Sequence, residues 1–182
     1  MTVSVSNKML DLPNLLLIGG NGRNVGKTTL ACRIIKHFSA TNEITGLKIS
    51  PHFHPVNEAD VVFRNQYFTI VNETQINSKD SSKMLQAGAK KVWFIMVNRD
   101  YLRPAFEHLA EILPDHFIVC ESGGLHEIVN PGLFFLVKRK NDKIVKTHLM
   151  SYSPIIVEND GENFDFDLQK LEFKSKRIGI KK

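Results

Sequence analysis

The chain has 182 residues, 42% of them hydrophobic and 24% charged, with a net charge of +5. That is enough chain to bury a core without disulfide or metal staples, and the composition excludes a disordered, collagen-like or disulfide-scaffold protein. No apolar run approaches the roughly 20 residues that a spanning helix needs. The opening MTVSVSNKMLDLPN lacks a basic segment followed by an apolar one, so no signal peptide and no membrane partner are expected. The excess charge sits late: residues 138–182 carry 11 basic and 7 acidic side chains, and the final KSKRIGIKK has five basic groups and no acid. Such a tail is either a frayed, solvated end, which is favoured, or a surface for nucleic acid or an acidic partner. Cys32 and Cys120 lie in apolar contexts without a CxxC pair. They fit a reducing, cytoplasmic setting, and neither reads as a nucleophile.

In chain order, Asn14–Ile18 (NLLLI) is a short continuous apolar run, the pattern of a buried parallel strand. A glycine-rich turn leads to a helix over 27–39 with Leu30, Ile34, Ile35 and Phe38 on one face. Strands follow at 43–49 and, more weakly, 67–71, with Pro51 and Pro55 bracketing a loop between them. A helix is expected over 78–87, closing at Gly88, then a strand at 91–97. A helix over 101–113 has Pro104 in its first turn, with Asp100 as its cap. Buried strands are expected at 117–120 and 133–137, weaker ones near 145–150 and 154–158, and a helix or edge strand near 164–173. The alternation predicts one α/β domain over 1–182: a mostly parallel sheet with helices on both faces and extra C-terminal strands.

The most informative segment is Gly19–Leu30, GGNGRNVGKTTL, between a predicted strand and a predicted helix. The phosphate-binding loop pattern G-x-x-x-x-G-K-[ST] occurs in that context and points to a P-loop NTPase fold. Gly20, Gly22, Asn24 and Gly26 would bring backbone amides close to phosphate oxygens. Lys27 would bind β and γ oxygens, Thr28 would place its hydroxyl on Mg²⁺, and Thr29 would add a phosphate contact. The first loop position is Asn21 rather than glycine, which a left-handed backbone at that asparagine would accommodate. The strand 117–120 runs into Glu121 and then SGG; an acid there would hold a magnesium-bound water or orient a nucleophile, the alternative being a plain carboxylate at a strand end.

Lys48 closes the second strand, at the end of the sheet where such folds bind ligands. His52 and His54 lie just beyond it. They read as a polar loop facing substrate rather than a metal pair, since no third ligand is evident. Asp80 and Ser81 open the second predicted helix, either as an ordinary helix start or as site residues. Asn98-Arg99-Asp100 is one residue short of a guanine-reading motif and reads better as a strand-to-helix turn. No firm base-reading motif is present, so GTP and ATP both stand.

Four segments together resemble the MobB-type adaptor family of molybdopterin-guanine dinucleotide biosynthesis: the GKTTL loop, GLKI with Lys48 and the PHFHP loop, KDSSKMLQAGAKKV, and the strand ending in Glu121 and glycine. They span roughly residues 14–125. The resemblance implies a dimeric GTP-binding protein with weak hydrolysis that assists a molybdenum-cofactor guanylyltransferase. In it, Gly26, Lys27, Thr28 and Thr29 hold phosphate and Mg²⁺, Glu121 serves as the acid, and Lys48 and Asp80 line the site. The sequence departs from the family at Asn21, at PHFHP where adjacent Lys and His are usual, and at about 15 insertion-like residues that include YFTIVNET. Dethiobiotin synthetase, an ATP-dependent enzyme, is also similar through the GKT loop, Lys48 and ESGG, but lacks the KDSS helix. A nucleotide-dependent protein-binding switch is a third possibility.

Overall fold

Apolar β-rich runs separated by amphipathic helices need a sheet buried on both faces. A computed structural model describes residues 8–76 and 80–181 of such a sheet. Its elements are β1 (Leu10–Gly20), α1 (Lys27–Phe38), β2 (Ile44–Ser50), β3 (Val61–Arg64), β4 (Phe68–Glu73), α2 (Asp80–Gln86), β5 (Lys91–Val97), α3 (Leu102–Ala110), β6 (Phe117–Glu121), β7 (Val129–Arg139), β8 (Ile155–Asn159), β9 (Leu171–Lys174) and β10 (Arg177–Ile180). Eight strands form one sheet in the order β3-β4-β5-β2-β6-β1-β7-β8. The six from β5 to β8 run parallel, and β4 and β3 add an antiparallel edge.

Two cores result, one on each face. Leu15, Leu17, Leu47 and Ile95 point to α3, where Ala105, Phe106 and Leu109 are fully buried. Leu16, Ile18, Ile44 and Phe135 point to α1 and α2 on the other face, against Leu30, Ile34 and Met84. The strict alternation along β1 (Leu15 and Leu17 one way, Leu16 and Ile18 the other) is why that strand reads as a continuous apolar run. No helix among the described residues is long and apolar enough to cross a membrane.

Several elements differ from the sequence reading. Strand β1 starts at Leu10, passing through Pro13 with a register shift against β7 between Leu12 and Leu16. At that point Gly132 lets the two backbones touch, since a Cβ there would lie 2.2 Å from the Pro13 carbonyl oxygen. The strand expected at 67–71 is β4, which runs on to Glu73 and takes in most of the YFTIVNET stretch. Residues 147–152 form a 3₁₀ helix, so no strand occurs at 145–150. Asp100 does not cap α3; it lies inside a 3₁₀ turn whose cap, Asn98, makes no side-chain cap bond. The expected start of α2 at Ser78 lies outside the described residues, and the helix is described from Asp80. As far as Ile180 the basic tail is not frayed: β9 and β10 form a hairpin whose Leu171 and Ile178 are about 1% exposed. Its two-residue turn, Ser175-Lys176, has positive φ at both positions, the geometry that matches strand twist but is usually supplied by Asn-Gly. Lys176 pairs with Asp115 at the opposite end of β6 from the glycine loop.

Candidate functional site

The glycine loop joins the carboxyl end of β1 to the first turn of α1. Gly26, at φ 101°, turns the chain into the helix, and a side chain there is excluded twice: by the φ, and by Asn159 Nδ2 at 2.3 Å from a Cβ. The first-turn amides of α1, at Lys27, Thr28 and Thr29, have no intrahelical partner and carry the positive end of the helix dipole. Asn24 also has positive φ, 54°. A Cβ on Gly20 would lie 2.7 Å from Lys27 Cδ, so a side chain there would push the Lys27 side chain off its present place. The Lys27 side chain folds back over the loop, with Nζ donating to the Gly22 carbonyl at 3.3 Å. Gly22 is not sterically required; the nearest atom to an added Cβ is 3.7 Å away.

Asn21 is not a stand-in for a left-handed glycine, because its φ is not positive. It is buried, and its amide ties the loop to a distant segment. Nδ2 donates to the Lys143 carbonyl at 2.8 Å, and Oδ1 accepts from the amides of Val145 at 2.8 Å and Lys146 at 3.3 Å. Lys146 Nζ in turn donates to the Gly20 carbonyl at 2.8 Å. From the end of β8, Asn159 Nδ2 donates to the Val25 carbonyl at 2.9 Å. Two C-terminal segments thus hold the loop.

Strand register brings the acid to this loop. Ile18, Glu121 and Lys48 lie side by side across β1, β6 and β2, all facing α1. Glu121 is about 3% exposed. Its Oε2 accepts from Thr28 Oγ1 at 2.7 Å, and its Oε1 pairs with Lys48 Nζ at 2.6 Å. Lys48 also reaches Asp80 at 3.4 Å, and Lys83 meets Asp80 at 3.0 Å. Burial raises the Asp80 pKa, but the hydrogen bond from Lys83 and the charges of Lys48 and Lys83 outweigh it and leave the carboxyl below its ordinary value. Burial pushes the Lys27 ammonium below the ordinary lysine value; Glu121 opposes this, while Lys48 and Lys146 add to it.

These groups line an open cavity of about 900 Å³ at the carboxyl ends of the strands, within the size range of ligand sites. Among the described residues Arg23, Lys27, Lys48 and Lys83 face it against Glu121 and Asp80, so the cavity favours an anion. The Thr28 hydroxyl and Glu121 carboxylate are hard oxygen donors, the type magnesium takes alongside water and phosphate oxygens. His52 and His54 stand across the cavity with ring centroids 6.5 Å apart. Among the described residues no group of three His, Cys, Asp or Glu side chains could hold a metal.

Of the residues expected from sequence, Asn24, Gly26, Lys27, Thr28, Thr29, Lys48, Asp80 and Glu121 all line this cavity. Gly20 and Gly22 sit behind Lys27. Sequence reasoning missed Asn159, Lys146 and Glu73. Glu73, buried on β4, accepts from Ser81 Oγ at 2.9 Å and so anchors the start of α2 beside Asp80. The tie depends on a strand that the sequence showed only weakly. Arg99 pairs with Glu127 at 2.5 Å, so the Asn98-Arg99-Asp100 turn has a structural partner of its own. Comparison with protein-family models, with curated proteins and with solved structures returns no match for this chain.

Proposed function

We propose that the chain is a P-loop protein that binds a magnesium nucleoside triphosphate and hydrolyses it slowly in the cytoplasm. The observation that carries this reading is the hydrogen bond from Thr28 to Glu121, made directly in front of the α1 amides and Lys27. A helix N-terminus with a lysine and a hydroxyl answers the chemistry of a polyphosphate. Magnesium, when bound, neutralises charge on the β and γ oxygens. The remaining work falls to the chain's own groups. The amides of Lys27, Thr28 and Thr29 donate to phosphate oxygens, and Lys27 supplies charge from a half-buried position. Thr28 and Glu121 supply two oxygen ligands. Lys48 holds Glu121 in place.

Slow hydrolysis follows from the same contacts. Each Glu121 oxygen already has a partner, Thr28 on one and Lys48 on the other; a remaining lone pair can still orient a water, but the Lys48 charge makes the carboxylate a weak base. The nucleotide we propose is GTP, and the role that of an adaptor for a molybdenum-cofactor guanylyltransferase, working as a homodimer. That finer reading rests on the resemblance of the four segments. Single-turnover hydrolysis of GTP and ATP tests it. Glu121→Gln should keep nucleotide affinity and slow hydrolysis by about 100-fold, the usual scale for a lost acid–base or water-positioning group. Unchanged hydrolysis would remove Glu121 from the site, and a clear preference for ATP would move the assignment to a small ATP-dependent enzyme.

A further inference from the structure

A second cavity, of about 310 Å³, opens beside the first and shares Ser50 with it. It lies over the carboxyl ends of β2, β5 and β6. Its floor is apolar: Ile49, Val97 and Leu102 are each under 8% exposed. Its rim carries Lys146, Arg99 and His148, with Glu127 as the acid among the lining residues. Arg99 already pairs with Glu127. Lys146 makes no ion pair among the described residues and spends one of its three donors on the Gly20 carbonyl.

A second observation points the same way. His126, on the wall, is about 3% exposed, and its Nε2 has no hydrogen-bond partner among the described residues. Glu127 Oε1 stands 3.9 Å away, beyond hydrogen-bond reach. A buried polar atom left unpaired is costly, and each one needs a partner such as a water, an ion or a ligand to account for it. The ring is fixed by stacking on Phe134 and edge contact with Tyr152. A half-buried cation without an acid, an apolar floor and an orphaned imidazole describe one kind of guest.

We propose that this cavity binds a small organic anion, with its apolar body against Ile49, Val97 and Leu102 and its oxyanion on Lys146. The site is separate from the nucleotide cavity but touches it, because the Lys146 ammonium rests on the glycine loop. A ligand there adjoins whatever occupies the loop, as a second substrate or effector would.

The test uses the full-length Lys27→Ala protein, in which the competing phosphate site is weakened, with phenyl phosphate, benzoate and benzyl alcohol as probes. Binding is read from the ring resonances of His126 and His148. The proposal expects saturable shifts with one or both anions, and binding of benzyl alcohol weaker by about tenfold because it lacks the charge-assisted bond. Which anion binds better distinguishes a phosphate guest from a carboxylate one. Lys146→Met should weaken the anion by about tenfold while leaving the fold intact by circular dichroism. No loss in Lys146→Met, or no saturable shift with either anion, overturns the proposal. If nucleotide fails to bind the wild type yet these shifts appear, the function proposed above falls and this site stands.

Discussion

Residues 10–38 and residues 129–181 meet at one loop but reveal themselves very differently. The first region writes its role locally. A buried strand, GGNGRNVGKTT and an amphipathic helix are contiguous, and a helix N-terminus presents its amides wherever it occurs. The second region supports that loop through contacts more than 100 residues away in sequence: Asn21 to residues 143–146, Lys146 to Gly20, and Asn159 to Val25. The contrast teaches that a phosphate-binding pattern is local chemistry, whereas the rigidity that makes it useful is tertiary.

The largest effect should come from the charge pair at the centre of the site. Lys48 and Glu121 have side chains about 15% and 4% exposed, so Lys48→Met strands a buried carboxylate and should cost about 3 kcal/mol or more in urea unfolding. Adding Glu121→Gln should recover much of that loss. A cost in the single variant that the double variant does not relieve would show that the two residues are not coupled.

The next effect decides what Asn21 is for. Asn21→Gly restores the usual glycine pattern, and a local view of the loop predicts a neutral or favourable change. The contacts predict the opposite: three hydrogen bonds are lost, at a cost of about 2 kcal/mol, with faster amide exchange at Val145 and Lys146. A neutral Asn21→Gly would mean that the C-terminal segment does not brace the loop. The smallest effect sharpens the same point from the other side. Gly22→Ala should change stability by less than about 0.5 kcal/mol, because its Cβ meets only Val25 Cγ1 at 3.7 Å.

The parallel sheet and both cores were legible, because strands buried on two faces are apolar throughout and helices show a 3.6-residue period. The cavity residues were legible too, since Lys48 and Glu121 each end an apolar run at the ligand-binding edge of the sheet. What escaped was short or depended on partners. Strand β3 is four residues long, and the Ser-Lys turn between β9 and β10 lacks the glycine that marks such hairpins. Asn21 reads as a glycine substitute until the distant carbonyl and amides it bonds are seen. Asn159 and Lys146 carry no local signal at all, because their side chains act through long-range hydrogen bonds to loop carbonyls.

The most direct test of the central claim is calorimetry of the full chain with GTP and ATP, with and without magnesium, in the wild type and in Lys27→Ala. The account predicts one saturable site that requires magnesium and that Lys27→Ala weakens by about 100-fold, the scale of a charged hydrogen-bonded contact. Absence of binding by either nucleotide, or equal affinity in Lys27→Ala, would contradict it.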